Sequence, residues 1–495
     1  MRTVVLCLSI ALVSDAQEVY RPDIPRTWEE AALQDWATPL GGLGERPAHP
    51  SEDEFYATSV DNLRTYPVYH PGREPAGYWE FLSSVGPLPL IEPDKLRNAD
   101  DWIEAGKEVF RQHDLIGTRL LDPAVIAKAR DAAVYEKAKY EPRPDGSVPD
   151  LRWIPTEDGV ALGLANCAGC HQRVMPDGSV VDGAPVNERG SPIVPALTTS
   201  GVSPLPLEPG PLSVQFWRAS RVPWVENDVH EAIKSMEPPQ LFATILPAFR
   251  VGLFPRWNGS PYFTTKIPDL IGLRDLKYID HTATHRHRGP GDVMRYAALV
   301  TSAESFSFGR YSVIDEDDYR NVGARLSDEA LYALTMYLYS LEPPPNPNPY
   351  DDRAAAGETL FKREGCPACH TPPLYTNNKL TVAEGFDPPK EHLESLDIMP
   401  ISVGTDPGGA LKTRKGTGYY KIPSLRGVWY RGHLLHDGSL TTLEEMFDPA
   451  RLTDGFARTG FRPAGNEDQS VRGHEFGLAL PPSERAQLLA FLKTL

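Results

Sequence analysis

Two copies of one five-residue pattern constrain this chain more than any other feature. In each copy, two cysteines are separated by two residues and followed directly by a histidine. The copies read Cys167-Ala-Gly-Cys170-His171 and Cys366-Pro-Ala-Cys369-His370. Two thiols three positions apart on a helical turn can add to the two vinyl groups of one haem, and the histidine then becomes the proximal iron ligand. The sequence therefore predicts two covalently bound haem c groups.

Other uses of paired cysteines fit the spacing less well. A zinc ribbon needs its two cysteine pairs about 15–20 residues apart, whereas Cys170 and Cys366 are separated by nearly two hundred residues. A pair of thioredoxin-like redox sites would not need a histidine after both motifs. Haem attachment explains all four of these cysteines and both histidines.

The fifth cysteine, Cys7, lies in a segment typical of a secretory signal. Arg2 precedes an apolar run from Val4 to Val13, and small residues stand three and one positions before a cut after Ala16. We therefore expect residues 1–16 to be removed and the protein to be periplasmic or secreted. No later run of about 18 apolar residues predicts a membrane span.

Charge and composition narrow the range of partners. The chain has 495 residues, 49 prolines and a formal net charge of -17, with a pI near 5.3 and a mean hydropathy of -0.36. An acidic surface argues against nucleic acid and anionic lipid. It suits a small basic redox protein as electron donor or acceptor. The proline content predicts a loop-rich fold with short helices.

Short segments recur along the chain in a way that indicates an internal duplication. Ala105–Phe110 resembles Ala356–Phe361, and the segment that opens with Lys266-Ile-Pro resembles the one that opens with Lys421-Ile-Pro. In the latter register, which is an offset of 155 positions, His281 falls on His436. Apolar residues at helical spacing then predict a final helix in each copy, over 326–341 and 480–495.

These repeats predict a mainly α protein built from two cytochrome c-like haem domains, with long insertions in the first copy. The expected organisation is a signal peptide (1–16), an N-terminal wrapping segment (17–95), a first domain with the reactive haem (96–342), a proline-rich linker (343–353), and a second domain with the electron-transfer haem (354–495).

The sixth iron ligand should distinguish the two haems, because a haem with both axial positions filled favours electron transfer and an open one permits chemistry. In the second copy, His474 lies shortly before the last helix, where such a ligand is usual. His436, His433 and Met446 remain alternatives. An offset of 154 places Arg320, next to Tyr319, at the equivalent position of the first copy. Arginine cannot ligate iron, so we expect the first haem to be open at this position.

The two haem motifs, the Lys421-Ile-Pro-Ser-Leu-Arg-Gly segment, His436-Asp-Gly-Ser and Leu443-Glu-Glu together resemble the bacterial di-haem cytochrome c peroxidase and MauG superfamily. The resemblance covers roughly residues 100–495. The ending around His474 (Gly-His-Glu-Phe-Gly) is more similar to the rubber-oxygenase-like branch, in which a histidine is the sixth ligand of the second haem.

The resemblance implies further roles in the first copy. Gln215-Phe-Trp217 matches part of a family motif whose tryptophan stands between the haems, and Glu237 falls where the family has a distal glutamate. His285 and His287, close to His281, are further candidates for moving a proton in the distal pocket. Gly190 stands in place of a family calcium-ligand asparagine, which argues against calcium between the domains.

Three functions are compatible with the sequence. The favoured one is an enzyme that reduces peroxide, or activates oxygen, at the first haem with electrons relayed by the second haem. The alternatives are a plain two-haem electron carrier and a rubber-oxygenase-like dioxygenase acting on a small organic substrate.

We expect the mature protein to begin near Gln17 and to carry two haems through thioether bonds, because the two motifs supply two thiols for each haem. Haem staining of a denaturing gel, together with the intact mass, checks this. A mass equal to that of the bare polypeptide would contradict it.

Overall fold

The computed structural model describes residues 20–114, 119–199, 211–256, 260–303, 307–312, 324–463 and 469–495. About 37% of these residues are helical and 14% are in strands or bridges. The expectation of a loop-rich fold is confirmed. The expectation of a mainly α fold holds only in part, because small sheets accompany the helices. The signal segment 1–16 lies outside the described residues.

The helices are short, as the proline content predicts. The described α-helices are α1 (Glu30–Leu33), α2 (Glu52–Ala57), α3 (Tyr78–Val85), α4 (Ala99–Gln112), α5 (Pro123–Ala129), α6 (Ala132–Ala138), α7 (Cys167–His171), α8 (Ile193–Thr199), α9 (Leu212–Ser220), α10 (Pro238–Ile245), α11 (Pro290–Thr301), α12 (Asp328–Ser340), α13 (Asp352–Arg363), α14 (Lys390–Ser395), α15 (Gly408–Leu411), α16 (Leu443–Met446) and α17 (Pro482–Lys493). Single 3₁₀ segments cover Pro71–Arg73, Pro93–Lys95, Val229–Ser235, Leu246–Ala248, Leu273–Asp275, Cys366–Ala368 and Pro449–Leu452.

The strands form small sheets of two or three members. They are β1 (Pro47–Ala48), β2 (Tyr66–Tyr69), β3 (Ser147–Thr156), β4 (Gly159–Gly163), β5 (Gln172–Val174), β6 (Val180–Asp182), β7 (Leu253–Arg256), β8 (Ser260–Lys266), β9 (Ser307–Phe308), β10 (Tyr311–Ser312), β11 (Leu380–Val382), β12 (Ile398–Met399) and β13 (Tyr419–Lys421). The sheet orders are β1-β9-β10, β2-β3-β4, β5-β6, β7-β8 and β12-β11-β13. All pairings are antiparallel except β11 with β12.

The strand content comes largely from the insertions of the first half. β3 and β4 form a hairpin directly before the first haem motif, with Ile154 paired to Ala161. Trp153 and Leu162 are buried in the core between this hairpin, α3, α5 and α6. An insertion of this length cannot be covered by the two haem-domain helices, so it builds a sheet and a core of its own.

Helices α4 and α12 cross closely in the first half. Asn98 caps α4 by accepting a hydrogen bond from the backbone N–H of Asp101 at 2.9 Å. A Cβ added to Gly106 would overlap the carbonyl oxygen of Ala333 and lie 2.8 Å from the Cβ of Tyr337. Glycine is therefore what allows the two helix backbones to touch.

Helices α13 and α17 cross in the same manner in the second half. Asp351 caps α13 through the backbone N–H of Ala354 at 2.9 Å. A Cβ on Gly357 would overlap the carbonyl oxygen of Gln487 and lie 2.8 Å from the Cβ of Phe491. The proline-rich linker reaches this helix pair, since the Asn346 amide donates to the carbonyl of Lys493 at 2.9 Å.

The N-terminal segment packs into the core of the first half. Trp28, Trp36 and Phe55 are fully buried and share one cluster with α4, α11 and α12. The Arg288 side chain stabilises the position of this segment by donating a hydrogen bond to the carbonyl of Ala32 at 2.7 Å. The large aromatic side chains account for this packing, because each buries a large apolar area.

The two halves also exchange backbone hydrogen bonds. The N–H of Lys266 donates to the carbonyl of His436 at 3.1 Å, and the N–H of Lys421 donates to the carbonyl of His281 at 3.0 Å. Each Lys-Ile-Pro segment is thus held by the histidine of the opposite half. This reciprocal contact brings the two segments together at the centre of the molecule.

We expect Gly357→Ala to lower the free energy of unfolding by about 1–3 kcal/mol, because the added methyl group forces α13 and α17 apart. Urea unfolding followed by circular dichroism measures this. Gly455→Ala is the matched control, since Gly455 is exposed and a Cβ there meets nothing within 4 Å. Equal midpoints for the two variants would contradict the role of the helix crossing.

Candidate haem sites

The first haem motif forms helix α7 and part of the core. The Asn166 side chain caps α7 by accepting from the N–H of Gly169 at 2.7 Å. Both thiols are free and partly buried, and burial raises the pKa of Cys167 to about 12 and that of Cys170 to about 11. Ala168 packs between the thiols into the cluster of α4 and α12. The short helix therefore presents two neutral thiols beside an apolar core.

His171 is oriented by the Lys-Ile-Pro segment of its own half. Its Nδ1–H donates to the carbonyl of Pro268 at 3.1 Å. Burial lowers the pKa of His171 to about 4, so the ring is neutral and its Nε2 keeps a lone pair. Such a hydrogen bond fixes the tautomer and the direction of a metal-binding imidazole.

The second motif has the same arrangement. Its turn begins with the 3₁₀ segment Cys366–Ala368, and the N–H of His370 donates to the carbonyl of Cys366 at 2.9 Å. The His370 Nδ1–H donates to the carbonyl of Tyr375 at 3.1 Å, and the carbonyl of Pro423 also interacts with the ring. Burial lowers the pKa of His370. This histidine, too, is a neutral imidazole with Nε2 free for a metal.

His474 lies opposite His370. The two ring centroids are 6.3 Å apart, with an angle of 57° between the planes. Metal–nitrogen bonds of a histidine measure about 2 Å, so one metal ion fits between the two rings. Burial lowers the pKa of His474 to about 4, and its Nδ1 is buried without a hydrogen-bond partner. These residues fit a haem iron with two histidine ligands.

A buried arginine positions the loop that carries His474. Arg451 is fully buried and donates to the carbonyls of Gly473 and His474, both at 2.9 Å, and to that of Val471. The His474 N–H donates to the carbonyl of Val403 at 2.6 Å, which holds His474 at a φ of 46°. Sequence reasoning missed Arg451, since only the folded loop brings these carbonyls around one guanidinium.

The other candidates for a ligand opposite His370 make contacts elsewhere. The His436 ring stacks on Tyr420 with centroids 3.9 Å apart. Both ring nitrogens of His433 face backbone carbonyls, those of Val251 at 2.8 Å and Gly438 at 3.2 Å. Met446 is buried in the apolar cluster of α16 and α17. None of the three pairs with His370 as His474 does.

The face opposite His171 is only partly described. Tyr319 and Arg320 lie outside the described residues. Among the residues that are described, no aromatic or imidazole ring contacts the ring of His171. The two haem motifs therefore differ in the described surroundings of their histidines.

Trp217 and Glu237 lie together in the insertion that precedes the first Lys-Ile-Pro segment. The Trp217 indole is partly buried, donates to Glu231 at 3.1 Å, and lies under Arg221 and Lys234. Glu237 is exposed and directly precedes helix α10. Their roles as bridge and distal carboxylate stay predictions.

His285 and His287 have different surroundings. His287 contacts the Leu276 carbonyl through Nδ1 at 2.6 Å and the Tyr339 hydroxyl through Nε2 at 2.5 Å. His285 is buried against Trp36, with centroids 4.2 Å apart. Its Nδ1 faces the Thr284 hydroxyl at 2.9 Å, and its Nε2 has no hydrogen-bond partner. Burial lowers the pKa of both histidines.

The described residues contain no group of three or more histidine, cysteine or carboxylate side chains arranged to hold a metal ion. Within the same residues, no helix has the length and apolarity needed to cross a bilayer.

Comparisons with known proteins give little beyond this geometry. No family model and no curated protein matches the chain. Among solved structures, hydrazine synthase of Kuenenia stuttgartiensis matches at 16% identity over 58% of this chain and 89% of its own, with a TM-score of 0.29. A MauG-like protein associated with microbial copper homeostasis matches at 17% identity over 47% and 73%, with a TM-score of 0.28.

We expect His474→Ala to convert one low-spin haem to high-spin and His436→Ala to leave it low-spin, because His474 faces His370 whereas His436 stacks on Tyr420. Visible and electron paramagnetic resonance spectra of the ferric protein measure the spin states. The reverse result would transfer the ligand role to His436.

Proposed function

We propose that this protein is an exported di-haem c-type cytochrome that reduces peroxide at its first haem with electrons supplied through the second. One observation carries the proposal. His370 has a second histidine facing it across a metal-sized gap, whereas no ring of the described residues faces His171. Two differently ligated haems suit an enzyme better than a carrier, which needs both irons saturated.

When bound, the haems would supply iron that changes between ferric and ferrous states, with an open coordination position at the first site. The chain's own contribution is the placement of its ligands. Pro268 and Tyr375 each hold one histidine by a backbone carbonyl. At the second site Arg451 fixes the loop of His474 through three carbonyls. A rigid ligand pair favours electron transfer, since little has to move.

Cleavage of a peroxide O–O bond requires a group that moves a proton between the two oxygens. Of the three candidates, His285 has a buried ring nitrogen without a partner. His287 already uses both of its ring nitrogens. Glu237 is exposed, so it would serve only if peroxide enters along that surface. We therefore favour His285 as the residue that takes up and returns the proton.

Trp217 is our candidate for a connection between the haems. Arg221 and Lys234 lie over its ring at 5.0 Å and 4.3 Å from the centroid. Two cations oppose the positive charge that a one-electron oxidation would place on the indole. We therefore expect Trp217 to conduct electrons without becoming a stable radical.

The internal duplication belongs to the same proposal. It is supported by the two helix crossings, where Gly106 meets Ala333 and Gly357 meets Gln487, and by the two proximal histidines held by equivalent segments. A small basic redox protein as electron source and an extracytoplasmic location remain proposals, drawn from net charge and the N-terminal segment.

We expect hydrogen peroxide to react fastest after the second haem has been reduced, because O–O cleavage needs two electrons and one ferric iron supplies them poorly. Stopped-flow spectroscopy of the half-reduced protein gives the rate. His285→Gln should slow the reaction about 10²-fold or more without changing either resting spectrum. A wild-type rate no better than that of a free haem peptide would defeat the peroxidase proposal, and two low-spin haems would favour the carrier.

Matched pairs of variants test the proposed roles of Trp217 and Glu237. Trp217→Phe should slow electron transfer between the haems, whereas Trp224→Phe in the same insertion should not. If Glu237 is the distal carboxylate, Glu237→Gln slows the peroxide reaction and the exposed Glu226→Gln does not. Equal rates in both glutamate variants would remove Glu237 from the mechanism.

A further inference from the structure

Two partly buried lysines at the centre of the molecule have no ion-pair partner among the described residues. Lys266 and Lys421 each open a Lys-Ile-Pro segment, and desolvation lowers the pKa of each to about 8. Among the described residues, neither lies within ion-pair distance of a carboxylate. The Lys266 ammonium donates to the carbonyl of His433 at 3.4 Å, and that of Lys421 to the carbonyls of Tyr278 and Ile279 at 3.1 and 2.9 Å.

Both lysines line a cavity of about 60 Å³ between the two Lys-Ile-Pro segments. A cavity needs only about 10–15 Å³ to hold one water molecule, so this one has room for a carboxylate group. The charged groups lining it are unbalanced. Lys266, Lys421, Arg426 and Arg431 face two carboxylates, Asp269 and Asp275.

Neither carboxylate forms an ion pair with the lysines, although the charge of Asp269 partly stabilises that of Lys266. Asp269 accepts from Arg431 and from the Tyr430 hydroxyl, both at 2.7 Å. Asp275 lies 3.7 Å from Arg426. Within the lining, the arginines are therefore paired and the two lysines carry the excess positive charge. From outside the lining, Asp437 partly offsets the charge of Lys266, and Asp280 that of Lys421. A buried charge is costly unless an opposite charge and hydrogen bonds compensate it.

We propose that this cavity is a carboxylate-binding site in which Lys266 and Lys421 supply the positive charge. Its position supports this assignment, because the two segments that form it also hold the proximal histidines through Pro268 and Pro423. Two sources of carboxylate suit it. One is a propionate of a bound haem, which rests on the proposed function, and the other is a free carboxylate anion.

The test uses the full-length haem-loaded protein with Lys266→Met, Lys421→Met and the surface control Lys390→Met. Lys390 is exposed on α14, with 84% of its side chain accessible. Spectroelectrochemistry gives the midpoint potential of each haem, and calorimetric titration with acetate gives the affinity for a free carboxylate. Lys266→Gln and Lys421→Gln are second variants that keep a donor for the backbone carbonyls if a Met variant fails to fold.

If the site holds propionates, each lysine variant lowers the midpoint potential of at least one haem, because loss of a nearby cation favours the ferric state, and acetate does not bind. If it holds a free anion, acetate binds the wild-type protein and each variant weakens binding about 10-fold or more. Potentials equal to those of Lys390→Met, together with no acetate binding, would overturn the proposal. Haem staining shows whether the protein carries haem at all, so failure of the carboxylate site can be distinguished from failure of the proposed function. If no haem is present, the acetate titration is the test of the carboxylate site.

Discussion

The hydrogen bond from the histidine of each CxxCH motif to a backbone carbonyl is the contact on which the rest of the arrangement depends. The Nδ1–H of His171 is committed to Pro268, and that of His370 to Tyr375. A ring held in this way has one tautomer and one direction, so the position of any metal at Nε2 follows from the backbone. Lys266 lies two residues before Pro268, and Lys421 lies two residues before Pro423, whose carbonyl also interacts with the His370 ring. The backbone N–H groups of these lysines join the halves through the carbonyls of His436 and His281.

Cationic side chains inside the protein donate many of the hydrogen bonds that regular secondary structure would supply in a helix-rich protein. A loop inside a protein exposes carbonyl oxygens that need donors. Arg451 supplies three such bonds to the loop of His474, and the lysine ammonium groups supply further ones near the centre. Because the guanidinium donors have a fixed geometry, the loop that carries His474 is held in one conformation without being helical.

The two halves share a helix crossing but differ in what surrounds it. The second half is compact, and its haem motif follows α13 almost directly. In the first half, the β3–β4 hairpin and helices α5 and α6 separate α4 from α7, and a second insertion carries Trp217 and Glu237. Part of that insertion contacts the second half, where Arg250 donates to the carbonyl of Gly460 at 2.7 Å. The first half is thus the larger one, while the compact second half surrounds the facing rings of His370 and His474.

The sequence by itself determined the features whose chemistry depends on local spacing. The final helices expected over 326–341 and 480–495 could be predicted because apolar residues recur there at helical spacing. The pairing of each CxxCH motif with a haem and the choice of His474 also follow from local spacing, and they stay predictions. The sheets of the insertions could not be predicted, since their strands are short and lack a clear alternation. Only the tertiary structure showed Arg451 beneath the His474 loop, the Nε2 of His285 without a hydrogen-bond partner, and the two lysines that line the central cavity. Their positions depend on contacts between residues far apart in the chain. The sequence around a charged residue does not indicate whether that residue will be buried when the chain folds.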